Sequence, residues 1–231
     1  MDSMNRRSGW KVLLIAIGLP LAMAACGAGT MKPTPVSGRI LKPGDLPDMR
    51  LRTPPTLAPV AEAFVGALSE GDAVLFKYPR QATPMLQQNG FKHAVLEDFT
   101  GPGTFAGAFA AEFASPEKAT AALAAMYQDA LQPCPNDPVC SIQHVFSVSG
   151  IPGSKGQNVS PVRTFGRPFN QYRVLFQVGS LVYGVAIGGI PDSFDPGTVT
   201  QAQAFKTFRA LYSRVKNGPP SGLFAPTPMP S

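Results

Sequence analysis

Three cysteines and two histidines are the residues with the most distinctive chemistry in this 231-residue chain. Cys134 and Cys140 are separated by the five residues Pro-Asn-Asp-Pro-Val. In an exported protein such a pair is typical of a disulfide, whereas a thioredoxin-type dithiol has a shorter, C-x-x-C spacing. A metal site would need further ligands, and nothing in the sequence ties His93 or His144 to the pair. If the chain is exported, we therefore expect a structural disulfide between Cys134 and Cys140.

The remaining titratable residues form no recognisable catalytic motif. Glu97 and Asp98 are adjacent on a predicted strand, so they point to opposite faces and cannot act together as acid and base. His144 shares a strand face with apolar residues, as packed histidines do, and His93 follows Lys92 at a strand start. The sequence contains no nucleophile elbow, P-loop or paired-histidine zinc helix. We predict no catalytic residue, cofactor or metal ligand. The alternative is an envelope hydrolase assembled only in three dimensions, with His144 or Glu97 beside a serine.

The N-terminal segment has the pattern of an export signal. Arg6, Arg7 and Lys11 precede an apolar run over residues 12–25, which ends in small residues directly before Cys26. The run is shorter than the roughly 20 apolar residues of a membrane-spanning helix. Two alternatives remain open: a retained single transmembrane helix and the signal of a soluble secreted protein.

The end of this signal, Met23-Ala24-Ala25-Cys26, resembles the lipobox of bacterial lipoproteins. The resemblance implies that residues 1–25 are a signal peptide, that a lipid is attached to Cys26, and that the membrane is a partner through this lipid. It also implies a location on the cell membrane or outer membrane, facing outside the cytoplasm. Gly27 stands where an aspartate would retain the protein at the inner membrane, so an outer-membrane destination is allowed.

Charge and composition bear on the class of partner. The chain carries 20 Lys and Arg against 14 Asp and Glu, and the basic residues are scattered. They form no run of the kind that binds nucleic acid, so we predict no nucleic-acid partner. The ligand is left open as a protein, a lipid or a small molecule. A glycine-rich segment at 150–156 contains Lys155 but lacks the spacing of a P-loop.

The proline distribution predicts the domain boundaries. Residues 26–55 and 218–231 are rich in proline and have little apolar periodicity, so we predict a tether and a disordered tail. Residues 56–217 alternate between helical and strand patterns, which predicts a single α+β domain. We expect an antiparallel sheet with helices packed on one face, preceded by the disordered tether.

The same patterns predict individual elements within residues 56–217. Ser115 and Pro116 signal the start of a helix that Pro133 stops, giving a helix from Pro116 to about Leu131. Gly179 and Ser180 indicate a type II′ turn between two strands. A loop is expected from Gly150 to about Asn170. Further helices are expected near residues 56–70, 83–89 and 198–216, and further strands near 73–78, 93–99, 104–114 and 142–148.

The general layout resembles small α+β lipoproteins of high-GC bacteria, a resemblance that implies no activity. We therefore predict a membrane-anchored extracytoplasmic lipoprotein that is a non-enzymatic binding or envelope-interaction module. The envelope hydrolase remains one alternative, and a structural spacer or assembly factor remains another.

Overall fold

The computed structural model describes residues 34–46, 48–69, 79–131, 143–164, 167–189 and 198–226. Within them the chain forms an eight-stranded antiparallel sheet and four α-helices, which confirms the predicted α+β class. The strands are β1 (Thr34–Pro35), β2 (Arg50–Ala58), β3 (Phe91–Gly101), β4 (Thr104–Phe113), β5 (Gln143–Phe146), β6 (Lys155–Thr164), β7 (Arg167–Val178) and β8 (Leu181–Gly189). The helices are α1 (Ala61–Ser69), α2 (Pro79–Gln88), α3 (Pro116–Leu131) and α4 (Gln201–Val215).

The strand order is β1-β2-β3-β4-β8-β7-β6-β5, so β4 and β8 are central. Each pair of neighbours is antiparallel. The predicted hairpin joins β7 to β8, with Val178 paired to Leu181. Gly179 has a φ of +57° while Ser180 has a negative φ, as a type II′ turn requires. After this turn, β8 runs back between β7 and β4 and pairs with both strands.

The sheet is covered by helices on both faces, which differs from the expectation of helices on one face. Because successive side chains of a strand point to opposite sides, Val174 and Leu175 belong to different cores. Leu175 lies in the core formed with α1, α2 and α3, on what we call the three-helix face. Val174 lies in the core formed with α4, on the one-helix face. All nine residues of β8 are buried, so this strand is enclosed on both sides.

Residues 34–46, which we call the N-terminal strap, belong to the folded domain and not to the predicted tether. Ile40 and Leu41 are fully buried on the one-helix face. The strap is followed by β2, whose Pro54 and Pro55 lie at a shift of register between β2 and β3. Proline is tolerated at such a bulge because no regular ladder hydrogen bond is lost there. The predicted tether boundary at residue 55 is therefore corrected to a domain that already includes Thr34.

The predicted C-terminal tail is also partly folded. Leu223 is buried on the one-helix face, and the Gly38 amide donates to the Gly222 carbonyl at 3.1 Å. A Cβ at Gly38 would lie 2.2 Å from the Cα of Leu223, so the strap and the tail cross closely only because residue 38 is glycine. Residues 227–231 of the predicted tail lie outside the described residues.

Two further expectations are corrected. The loop expected from Gly150 to about Asn170 contains β6 and the start of β7, since Lys155 and Gln157 pair with residues of β7. The helix expected from residue 56 begins at Ala61, because residues 56–58 pair with β3. The strand expected at 73–78 lies outside the described residues.

Candidate functional site

A small cavity lies on the three-helix face, between α3 and the strands β4, β6, β7 and β8. Its volume of about 30 Å³ is enough for one or two water molecules. We call it the Arg173 cavity. Its lining residues are Leu68, Gly107, Phe109, Tyr127, Lys155, Gln157, Arg173, Val174, Leu175, Gly184, Val185 and Ala186.

The strand register brings the polar residues of this cavity together. Gln157 is paired with Arg173, and Lys155 is paired with Leu175. Directly paired residues share a face in an antiparallel sheet, so these side chains lie on the same side as Leu175, which faces α3. Along the same row of the sheet, Arg173 is paired with Ala186 of β8. The register therefore places the polar side chains of β6 and β7 beside small residues of β4 and β8.

The part of the cavity formed by β4 and β8 is open because several residues there are glycine or alanine. Ala186 is paired with Gly107, and Gly184 is paired with Phe109. The ring of Phe109 lies directly over Gly184, where a Cβ would come within 2.0 Å of the ring. Gly107 and Ala186 leave space on β4 and β8 that larger side chains would fill, whereas the space over Gly184 is taken by the Phe109 ring.

Two buried polar atoms of the cavity have no hydrogen-bond partner. They are Nε of Arg173 and Oε1 of Gln157. Gln157 is 3% exposed, while Nη2 of Arg173 is engaged, donating to Oε1 of Gln171 at 3.1 Å. A buried polar group without a partner costs on the order of 1–3 kcal/mol. A bound group that accepts from Nε of Arg173 and donates to Oε1 of Gln157 would remove both penalties.

The cavity carries positive charge. Burial lowers the pKa of the Arg173 guanidinium to about 10, which still leaves it cationic at neutral pH. Nζ of Lys155 lies 5.9 Å from the ring centroid of Tyr127, within cation–π range. Burial raises the pKa of the Tyr127 phenol, so it is neutral at the same pH. None of the described residues that line the cavity is acidic. The arrangement is suited to an anion.

Glu97, one of the two residues that the hydrolase alternative named, has another role. It is 4% exposed and lies on β3 beneath the N-terminal strap. Its Oε1 accepts from the Ile40 amide at 2.6 Å, and its Oε2 accepts from the Leu41 amide at 2.8 Å. Burial raises the pKa of Glu97 to about 7, although the two backbone hydrogen bonds and the charges of Arg39 and Arg214 oppose the shift. Both carboxylate oxygens hold the strap.

The two histidines lie apart from the cavity. His144 is exposed on the edge strand β5. Nε2 of His93 lies 3.1 Å from Oε2 of Glu112, and its ring centroid is 4.3 Å from that of Phe224. His93 therefore helps to hold the C-terminal segment against β3. The structure does not bring Glu97 and His144 together, since β3 and β5 are separated by four strands.

The predicted lipidation site Cys26 and the predicted disulfide Cys134–Cys140 lie outside the described residues. In the described ranges, no group of three or more His, Cys, Asp or Glu side chains could hold a metal ion. No helix among the same residues is both long and apolar enough to span a membrane. The predictions for these cysteines therefore remain predictions.

Sequence reasoning missed the residues of the Arg173 cavity. One available signal was Arg173 itself, a charged residue inside an apolar hairpin strand that pairs with a wholly buried one. A charge in such a place needs a partner or a ligand. A second was Lys155, the cation of the glycine-rich segment 150–156. Whether either side chain faces a cavity depends on where α3 packs.

No protein-family model and no curated protein matches the chain. The extracellular domain of PknH from Mycobacterium tuberculosis is similar at 12% identity and a TM-score of 0.42, covering 72% of this chain and 84% of that one. A protein from Mycobacterium smegmatis, described as an Rv0999 ortholog, is similar at 13% identity and a TM-score of 0.38, covering 74% and 90%. Likeness this distant transfers no site, so the candidate site rests on its own geometry.

Proposed function

We propose that the protein is a lipid-anchored, extracytoplasmic binding module without enzymatic activity, and that the Arg173 cavity holds an anionic group of its ligand. The observation that carries the proposal is the buried, unpartnered Nε of Arg173, a cationic donor from which an oxyanion accepts. The unpartnered Oε1 of Gln157 needs a donor, which a water molecule or the O–H of a protonated phosphate would supply. Native structures rarely leave such atoms unpaired unless a site, a water or an ion uses them. Because the charge there is positive, the expected occupant is an oxyanion.

The binding role is tested with a simple oxyanion. Acetate is titrated into the full chain while the Nε–H resonance of Arg173 is followed by NMR and assigned with the variant Arg173→Lys. We expect a saturable shift of this resonance, with none for Arg209, whose side chain is exposed. If acetate and inorganic phosphate both leave the Arg173 resonance unmoved, the cavity is not an anion site and the proposal fails.

The anchoring role rests on the lipobox resemblance and is tested separately. In the producing cell, the variant Cys26→Ser should lose membrane association, because the lipid would have no attachment point. Cys134→Ser serves as the matched control, since it removes a cysteine without touching the lipobox, and it should stay in the membrane fraction. Retention of the Cys26→Ser variant in that fraction would show that the apolar run is a retained helix.

A further inference from the structure

We propose that the Arg173 cavity is the head-group end of a longer site, and that the ligand is a compact oxyanion on an apolar chain. This inference rests on the proposed function, because it names the ligand class of the same cavity. The oxyanion would be a carboxylate or a phosphate, and the apolar chain would lie outside the cavity along α3.

The size of the cavity limits what it can enclose. A volume of about 30 Å³ admits a group the size of one or two waters. Pockets that enclose a whole small molecule are roughly ten times larger. The oxygen atoms of a carboxylate or a phosphate are small enough to enter this space and reach Nε of Arg173. The remainder of any larger ligand must therefore lie outside.

A surface depression of about 530 Å³ lies where this remainder would emerge. We call it the α3 groove, and it is lined by Pro116, Thr120, Leu123, Ala124, Pro152, Gly153, Lys155, Gln177 and Gly179. Lys155 lines both the groove and the cavity. On α3, Leu123 faces the groove and Tyr127 faces the cavity, four residues apart. Residues at this spacing lie on one side of a helix about 6 Å apart, so the two spaces are adjacent.

The chemistry of the α3 groove suits an apolar occupant. Apart from Lys155, its polar side chains are already paired: Oγ1 of Thr120 donates to Oε1 of Gln177 at 2.8 Å. Nε2 of Gln177 donates to the carbonyl of Pro116 at 2.7 Å. With these groups satisfied, the exposed residues Pro116, Ala124 and Pro152 offer apolar surface to a ligand, whereas Leu123 is only 7% exposed. The donor groups of Thr120 and Gln177 are therefore all engaged and need no acceptor on the ligand.

The charges indicate how the ligand is oriented. Arg173 lies at the inner end, where its Nε is shielded from solvent. Lys155 is exposed and lies at the junction of cavity and groove. An oxyanion would be attracted past Lys155 to Arg173, where it loses water and gains a charge-assisted hydrogen bond. The apolar chain would then extend in the opposite direction, over Ala124 and between Pro116 and Pro152.

The test measures affinity across a series of straight-chain carboxylates, from acetate to decanoate, with the full chain held in a non-ionic amphipol. If the chain is buried in the groove, affinity should rise by up to about fourfold per methylene group until the groove is filled. The variant Arg173→Met should weaken decanoate binding by roughly tenfold to a hundredfold. Decyl phosphate in place of decanoate distinguishes a phosphate head from a carboxylate head, and tight binding of either supports the proposal.

A matched pair of substitutions on α3 tests the position of the chain. Ala124→Glu places a charge in the groove, whereas Ala121→Glu places one on an exposed position of α3 outside it. Only Ala124→Glu should abolish the dependence on chain length. If affinity is flat from acetate to decanoate, or both variants act alike, the inference fails while the anion site stands. If decanol binds as well as decanoate, the oxyanion head is refuted. If no carboxylate, no inorganic phosphate and no decyl phosphate binds, both the inference and the proposed function fail.

Discussion

The pKa of Glu97 predicts a pH dependence of stability that is unusual for a carboxylate. Its pKa is raised from 4.5 to about 7 in the folded chain. Between these two pH values the folded state binds more protons at this group than the unfolded state does. The stabilisation that comes from this group is therefore fully present below about pH 4.5 and is lost as the pH rises through about 7.

The magnitude follows from the size of the shift. One pKa unit corresponds to about 1.4 kcal/mol, so a shift from 4.5 to about 7 gives about 3 kcal/mol across the window. The cause is the burial of Glu97, which is 4% exposed. The amides of Ile40 and Leu41 reduce the shift, because they stabilise the charged form.

The assay compares the chain with the variant Glu97→Gln, which cannot titrate at this position. Free energies of unfolding are measured by guanidinium denaturation from about pH 4 to 9. Other groups titrate in both proteins, so the quantity of interest is the difference between them. The natural chain should lose about 3 kcal/mol relative to the variant as the pH rises from about 4.5 to 7.

Two results would refute this reasoning. A difference that does not change with pH would show that Glu97 is not desolvated beneath the strap. A difference that changes in the opposite direction would show that the two amide hydrogen bonds outweigh burial. Hydrogen exchange locates the effect, since the Ile40 and Leu41 amides should exchange faster in Glu97→Gln, whose side-chain amide offers only one acceptor atom.

Two further predictions concern local packing, and both are measured by denaturant midpoints. Gly184→Ala should destabilise the fold by about 1–3 kcal/mol, because a Cβ there meets the Phe109 ring at 2.0 Å. The control is Gly66→Ala in α1, where a Cβ meets open space, and it should stabilise the fold by about 0.5–1 kcal/mol. If the two substitutions change the denaturant midpoint equally, the close contact at Gly184 is contradicted. Thr200→Ala should lower the free energy of unfolding by about 1 kcal/mol, because the Thr200 hydroxyl accepts from the backbone amide of Gln203 and caps α4. An unchanged midpoint would show that the cap contributes nothing to stability.

Elements with strong local signals were predicted closely. The Ser115-Pro116 start and the Pro133 stop gave the bounds of α3 that the structure shows, Pro116–Leu131. Glycine at position 179 gave the β7–β8 hairpin, because a positive φ there costs glycine little. In both cases the decisive interactions lie within a few residues of one another.

Elements that depend on distant partners were not predicted. The N-terminal strap is rich in proline, which suggested a tether, yet it is held by Glu97, 57 residues beyond Ile40. Strand β6 has little apolar alternation, and its position follows from pairing with β7. The Arg173 cavity has the same origin, since Gln157 and Arg173 meet only through this pairing. Local periodicity carries no information about such contacts.

The corrected start of the domain changes the consequence of a lipid on Cys26. Thr34 is already paired with Leu57, so the folded domain begins eight positions after the proposed anchor at Cys26, with only seven residues between them. Fully extended, eight residues reach about 28 Å, whereas a tether ending at residue 55 would reach roughly 100 Å. A lipid on Cys26 would thus hold the start of the sheet within about 28 Å of the bilayer. The α3 groove lies beside β6 and β7, five to six strand spacings from β1, which is roughly 25–30 Å across the sheet. The short tether therefore brings the β1 edge close to the bilayer, and the orientation of the sheet decides how far the groove lies from the membrane.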